Sequence, residues 1–373
     1  MTQLHLNPNL LKVPLYIAGK SVEEVQEEYG LEDVVKLASN ENALGPSPMA
    51  VEAAERMLAE AHRYPGVADR DLRRRLGPMS HEGFDERYVI IGNGGTDIIR
   101  MVAQGFIFDG GELVTSSVTF PLYHICAMMY GGQSVLVPPL TDVRFDLSAI
   151  AEAIGPNTRL VVICTPNNPT GHICHRAEIE AFMNRVRDDV VVMFDESYRS
   201  YVDDADYPDP VDYVAAGRNV VVVRSFSKSA GLANLRVGYA IARPDIIEYL
   251  GRTQLPFNTG AVALAAAGAS LDDHNYRERT RRLVSEERKY LYEALDALDI
   301  SYAKGQANFV LITHLPVEAG KIAENLIRRG VIVRPMGGWG LPYAIRATLG
   351  THEQNERFVA ALKAVLQEAV AAK

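Results

Sequence analysis

The chain is poor in cysteine, poor in lysine and without long apolar runs. Its three cysteines, Cys126, Cys164 and Cys174, show no CxxC spacing. That excludes a disulfide framework or a zinc site as the organising feature and fits a reducing cytoplasm. No stretch reaches the roughly 18 consecutive apolar residues of a membrane span. The start, MTQLHLNPNLLKVPLY, lacks the basic flank and apolar core of a secretory signal. Positive charge is not in excess either. The formal net charge of −9 argues against broad attraction to nucleic acid or an anionic membrane, while leaving room for a local pocket that binds a small anion. Repeats, low-complexity tracts and flexible linkers are missing. What remains is a globular composition, 47% hydrophobic over 373 residues, sufficient for a sizeable core in two domains or in one large domain with a satellite.

From about residue 86 to 242, short β-branched runs ending in Gly, Pro, Ser or Asn alternate with helical patterns. Such alternation marks βαβ units and a mainly parallel sheet. Seven strands are predicted, at Tyr88–Ile91, Glu112–Thr115, Ser134–Val137, Arg159–Cys164, Val190–Phe194, Asn219–Arg224 and Arg236–Ile241. Most are apolar throughout, as strands buried on both faces must be. Beyond Pro256 one long helix is expected across about 260–298, then short strands at Phe309–Thr313, Val331–Arg334 and Ala344–Leu349. This part reads as a smaller α+β domain. The first 30 or so residues hold a Pro-bounded segment and a short acidic helix, expected to pack on that second domain or on a partner subunit. The expected division is 35–258 for a large α/β domain and 1–34 with 259–373 for the small one.

Arginine supplies most of the positive charge. The chain has nine lysines, and between Lys36 and Lys289 the single one is Lys228, in RSFSKSAGLANLRVGY. A surface cation can be either residue, but an imine to a carbonyl needs a primary amine that can lose its proton, which guanidinium cannot supply. Lys228 is therefore either a chance surface lysine or a nucleophile. Upstream, the apolar strand of VVVMFDESY delivers Asp195 at its C-terminal end, the edge where open α/β sheets hold ligands. A carboxylate there suits a protonated pyridine nitrogen, the form in which pyridoxal phosphate is an electron sink. A helix cap and a metal ligand are the ordinary alternatives. Tyr198 lies three residues on, within reach of the same ring's phenolic oxygen, while Glu196 is expected to cap a turn.

In CTPNNPTG another strand presents Asn168 at this edge, as a donor to the phenolic oxygen or as part of a plain proline turn. Phosphate calls for backbone donors and cations. IIGNGGTDII sets Gly94, Gly95 and Thr96 at a predicted helix start. Ser225 and Ser227 flank the lysine, and Arg236 follows it by eight residues, with a buried ion pair as the other role for Arg236. Phe120, in VTFPLY, is core or a slab for a flat ring. Arg334 (GVIVRPMGGWG) and Arg346 (YAIRATLG) sit in apolar strands, where burial demands anions. These are internal carboxylates, or the carboxylate or phosphate of a substrate. No metal is expected.

Taken in order, NPTG, DESY, SFSK with its following arginine and IRATLG resemble the fold-type-I aminotransferases, most closely the histidinol-phosphate aminotransferase family. The resemblance runs over nearly the whole chain, through PLYIAGKS, VVKLASNENALGPSP, HRYPG, GNGGTDII, QLPFNTG and GVIVRPMGGWGLPYAIRATLGT. It implies a fold-type-I α/β architecture with pyridoxal phosphate as cofactor, carried by Lys228 as a Schiff base. Asp195 would bind the pyridine nitrogen, Asn168 and Tyr198 the phenolic oxygen, and Phe120 would stack on the ring. The phosphate would lie among Gly95, Thr96, Ser225, Ser227 and Arg236, with Gly94 in the same turn. Tyr64 of HRYPG would reach the cofactor of the other subunit in a homodimer. Tyr16, Arg334 and Arg346, with Asn42 nearby, would surround the far end of the substrate.

The implied reaction is ping-pong transfer of an amino group between L-histidinol phosphate and 2-oxoglutarate. Aromatic amino acids are the alternative donors, because an apolar pocket separates imidazole from phenyl poorly. A decarboxylase on the same scaffold would release carbon dioxide without needing a keto acid. A non-enzymatic regulator would need an added DNA-binding module, whereas the resemblance already begins near residue 12. The chain departs from the family's usual GNGSDE, DEAYxEY and SKAYGLAxLR, reading GNGGTD, DESYRSY and SKSAGLANLR. Ser197, Arg199, Ala230 and Asn234 therefore lie beside the site and bear on substrate rather than on cofactor.

Overall fold

The computed structural model describes residues 4–15 and 19–371. A two-residue strand, β1 (Val35–Lys36), comes first. The large sheet then collects β2 (Val89–Asn93), β3 (Glu112–Ser116), β4 (Gln133–Val137), β5 (Thr158–Cys164), β6 (Val191–Asp195), β7 (Val220–Ser225) and β8 (Val237–Ala242). Their order is β2-β8-β7-β6-β5-β3-β4. β8 alone runs against its neighbours, so the sheet is the mainly parallel, seven-stranded one that the apolar runs predict. β5 and β6 are buried along nearly their whole lengths, the burial expected where helices cover both faces.

The smaller part contributes β9 (Tyr302–Ala303), β10 (Phe309–Ile312), β11 (Val331–Ile332), β12 (Arg334–Pro335) and β13 (Ile345–Thr348). Four of these make an antiparallel sheet in the order β12-β13-β10-β9, while β11 pairs in parallel with β1. The single strand expected over Val331–Arg334 is thus two strands belonging to different sheets. The acidic helix Val22–Tyr29 buries Val25 with Ala38 and Ile332, which seats the N-terminal region on this smaller part.

The continuous helix expected over 260–298 is also two, Ala261–Ser270 and His274–Ala297. Asp273 breaks it by accepting the Tyr276 amide at 3.1 Å as an N-cap and the Ser47 hydroxyl at 2.7 Å. A cap side chain that satisfies a helix start competes with helix continuation. The first of the two helices lies against Pro48–Leu58, and its Ala263, Leu264, Ala266 and Ala267 share a cluster with Leu72, Leu76, Val89 and Ile91. Among the described residues no helix is long and apolar enough to cross a membrane, and all three cysteines are buried and unpaired.

Candidate active site

β5, β6 and β7 end side by side, with Cys164 opposite Asp195 and Asp195 opposite Val223. Parallel strands send all their outgoing loops to one edge, so the residues that follow them converge. A cavity of about 800 Å³ lies there, and its lining falls into three groups of residues.

In the first group the helix Gly95–Phe106 begins, directly after β2. Its first amides have no intrahelical acceptor and form a positive pole. Arg236 is not the strand start the sequence suggested; it stands just before β8 in a left-handed conformation, φ 55°. That turn brings its guanidinium back over the helix start, where Nη2 donates to Thr96 Oγ1 at 3.1 Å and Nη1 to Ser227 Oγ at 3.4 Å and Ala233 O at 2.8 Å. Among the described residues no carboxylate pairs with it, so the buried ion pair does not occur. Gly95, Thr96, Ser225 and Ser227 line the cavity with it, giving backbone, hydroxyl and guanidinium donors aimed at one place.

Gly94 has φ 82°, and a Cβ there would overlap the Arg236 guanidinium. Gly94→Ala should therefore displace Arg236 and weaken binding of a phosphate-bearing cofactor roughly 10- to 100-fold, the worth of a charge-assisted hydrogen bond. Equilibrium titration of the apoprotein measures this. A change under twofold would show that the added methyl group does not displace the Arg236 donors.

The second group holds Asp195, 4% exposed. Its Oδ2 accepts from Tyr123 OH at 2.7 Å, and its Oδ1 accepts from Ser197 Oγ at 2.6 Å and from the Ser197 amide at 3.0 Å. A buried carboxylate held only by neutral donors fits a cationic ring nitrogen. Phe120 lines the same space and meets Tyr123 edge-on, centroids 5.8 Å apart, leaving its face available to a flat ring. Tyr198 OH accepts from Asn40 Nδ2 at 2.9 Å, which leaves its own hydrogen to be donated onward. Burial pushes the Tyr198 hydroxyl up to about 12, against the opposing pull of Arg346 and Asn40, so it stays a donor at neutral pH. Arg346 Nη1 donates to Asn168 Oδ1 at 2.5 Å, which turns the amide NH₂ toward the cavity.

Lys228 lies between these groups, its Nζ 3.3 Å from Ser39 O and 5.7 Å from the centre of the Tyr198 ring. Burial first, and the Arg346 cation second, push its ammonium down from 10.5 to about 8. Roughly one amine in ten is then neutral at pH 7.

Arg334 and Arg346, paired across β12 and β13, also line the cavity, and Arg346 stays joined to Asn168. The set as a whole fits pyridoxal phosphate. It offers an anion for the ring nitrogen, donors for the phenolic oxygen, a cation-and-helix cradle for the phosphate and an amine for the aldehyde.

The family model for aminotransferases of class I and II matches residues 32–362. The chain belongs to this family. Its cofactor is pyridoxal phosphate and its chemistry is transamination between a small amino donor and a keto acid. It is 41% identical over 358 residues to a histidinol-phosphate aminotransferase of Moorella thermoacetica, covering 96% of this chain and 92% of that one. A relative of the same description from Anaeromyxobacter sp. is 41% identical over 360 residues, covering 96% and 98%. The fold is that of a solved histidinol-phosphate aminotransferase from Sinorhizobium meliloti in complex with pyridoxal 5'-phosphate, TM-score 0.89 at 23% identity, covering 99% of both chains.

One site residue of this aminotransferase lies elsewhere than expected. Asn42 does not line the cavity. Its Nδ2 donates to Lys228 O at 3.3 Å, Ser229 O at 3.1 Å and Thr280 Oγ1 at 3.4 Å, so it holds the main chain around the lysine. Tyr64 is 78% exposed and stacks on Phe257 at 4.6 Å, outside the cavity of its own chain. Tyr16 lies outside the described residues. Glu196 does not cap a turn but is buried in an ion pair with Arg224, because successive residues at the end of a strand point to opposite faces.

Three residues stand next to the chemistry in roles that the sequence did not reveal. Ser197, expected to bear on substrate, instead bonds the carboxylate of Asp195. Tyr123 looked like one more apolar residue in PLYHICAMM. Asn40, at φ 55°, has its amide bonded to Thr348 Oγ1 at 2.9 Å while its side chain serves Tyr198. The asparagine in a left-handed turn was the available signal for this last one.

Proposed function

We propose that this aminotransferase transfers an amino group between L-histidinol phosphate and 2-oxoglutarate in two ping-pong half-reactions. The observation that carries the reading is the placement of Arg334 and Arg346 in cross-strand register in the lining of one cavity. Like charges directly opposite each other destabilise a strand pair, and a phosphate or carboxylate received between them offsets that cost with charge-assisted hydrogen bonds. The names of the curated relatives support the same substrate.

In this reading each residue has a separate task. Bound in the cavity, pyridoxal phosphate supplies the sink for the electron pair left on the donor's Cα. Gly95, Thr96, Ser225, Ser227 and Arg236 hold its phosphate. Asp195, steadied by Tyr123 and Ser197, keeps a proton at the ring nitrogen. Asn168 and Tyr198 donate to the phenolic oxygen, and Phe120 covers one face of the ring. Lys228 Nζ would hold the aldehyde carbon at rest and, as the free amine, would take the proton from the substrate's Cα and deliver it to the carbon that had carried the aldehyde.

The exposed Tyr64 suits a role across a homodimer interface, reaching the other subunit's cofactor. A cytoplasmic location accords with three unpaired buried cysteines. As folding units we propose 35–258 and, as a second, 1–34 with 259–373, the helix Ala261–Ser270 tying the second to the first.

Steady-state assays with 2-oxoglutarate as acceptor test the substrate. Histidinol phosphate should exceed phenylalanine by roughly a hundredfold or more in kcat/KM, because a phenyl group leaves the arginine site unfilled. No turnover of histidinol phosphate sinks the proposal, and faster turnover of phenylalanine transfers it to aromatic amino acids.

A further inference from the structure

The chain has one tryptophan, Trp339, and it stands in the cavity wall beside Arg334. It closes the one-turn helix Gly337–Trp339 that follows β12, its amide bonded to Met336 O at 2.9 Å, and Gly340 at φ 75° then turns the chain back toward β13. The indole packs against the buried cluster of Ala303, Leu311, Met336 and Ala344, which anchors the ring. The guanidinium carbon of Arg334 lies 5.4 Å from the ring centroid. On another side is Gly19, where a Cβ would come within 3.1 Å of Arg334 Nη1. Among the described residues no carboxylate forms an ion pair with Arg334.

A planar guanidinium stacked on an aromatic face keeps its N–H edge directed away from the ring, available for a two-pronged hydrogen bond to an oxyanion. A long arginine without that support samples many rotamers and loses entropy on being fixed. We propose that Trp339 is the positioning residue for Arg334. With the side-chain-free Gly19 beside it, the indole holds the guanidinium edge toward the substrate tail and so sets the preference for a donor ending in an oxyanion over one ending in an uncharged ring. This rests on the substrate reading above and assigns it a determinant that neither touches the cofactor nor takes part in proton transfer.

Two measurements on the holoenzyme test it. In Trp339→Leu the KM for histidinol phosphate should rise roughly tenfold with kcat within about twofold, and Trp339→Phe, which keeps a ring face, should recover most of the loss. Because Trp339 is the only indole, inorganic phosphate titrated into the wild-type holoenzyme should change the tryptophan emission saturably, and Arg334→Gln should abolish that response.

A KM within twofold of wild type in Trp339→Leu, or an emission indifferent to phosphate in the wild type, overturns the inference. If Trp339→Leu does not fold, the phosphate titration of wild type and Arg334→Gln still decides. If histidinol phosphate is not turned over while the phosphate response persists and depends on Arg334, the substrate reading falls and the role of Trp339 stands.

Discussion

Lys228→Ala should lower the turnover of any amino donor by roughly 10⁴-fold or more, since it removes both the amine that bonds the cofactor and the base that moves the proton. Borohydride treatment of the variant should no longer fix the cofactor to the chain, while the cradle around Arg236 should still bind it reversibly. Retention of covalent cofactor after reduction would place the attachment on another lysine. The wild-type amine supplies a pH signature as well. Burial and the Arg346 cation hold it down to about 8, with Glu41 opposing, and the reactive form is the neutral one. Capture of the cofactor by the apoprotein should therefore accelerate as pH rises through about 8 and level off above it. Arg346→Gln removes a positive neighbour, makes the ammonium easier to keep, and should move that rise to higher pH. Stopped-flow rates across the pH range report both, and an unmoved midpoint would mean that Arg346 does not act on Lys228.

Arg224→Met should cost stability on the order of 3 kcal/mol, the lower end of what breaking a buried ion pair costs. Glu196 is fully shielded, and it accepts from Arg224 Nε at 2.8 Å and Tyr207 OH at 2.8 Å. Arg224 also reaches Asp209 at 2.9 Å, and Arg199 bridges Asp209 at 2.6 Å and Glu196 at 3.4 Å. Burial alone would make the Arg224 guanidinium easier to deprotonate, but Glu196 and Asp209 reverse that and hold its proton more firmly than usual. Arg199 still partners the stranded carboxylate after Arg224 is removed, which is why the low end of the range is expected. The double variant Arg224→Met with Glu196→Gln should regain a large part of the loss, because no uncompensated charge is then buried. Denaturant unfolding of the holoenzyme gives both values, and a loss below about 1 kcal/mol in the single variant would show the network to be as weak as a surface pair.

The network also shows where sequence reading stops. Glu196 follows Asp195 directly, and both read as strand-end carboxylates, but the strand's two-residue period sends one to the cavity and the other to the opposite side. Which cation awaits there depends on β7 pairing with β6, and that depends on the whole sheet. Tyr123 was hidden for a similar reason. In an apolar helix a tyrosine reads as core, and only the meeting of that helix with the end of β6 reveals its hydroxyl on Asp195.

Other features were legible because their physics is local. β-branched apolar runs mark buried strands wherever they occur, and all seven strands of the large sheet lie within a few residues of the runs that predict them. A lysine in a region otherwise served by arginine points to amine chemistry without any knowledge of neighbours. The break at Asp273 was local too, since an aspartate at a helix start is a cap, and the poor helix formers around it, Gly268, Ser270, Asp272 and Asn275, pointed the same way.

The sequence by itself therefore determined the kinds of element and the kinds of reactive group, including the amine, the strand-end carboxylate, the glycine turn and the C-terminal arginines, because propensity and functional-group chemistry act over a few residues. Only the tertiary structure decided the partners. Arg236 meets Thr96, Asn40 meets Tyr198, Arg346 meets Asn168 and Trp339 lies under Arg334. Hydrogen bonds are made across space, and the first three of these span 140, 158 and 178 residues of chain, a separation that only the folded chain closes.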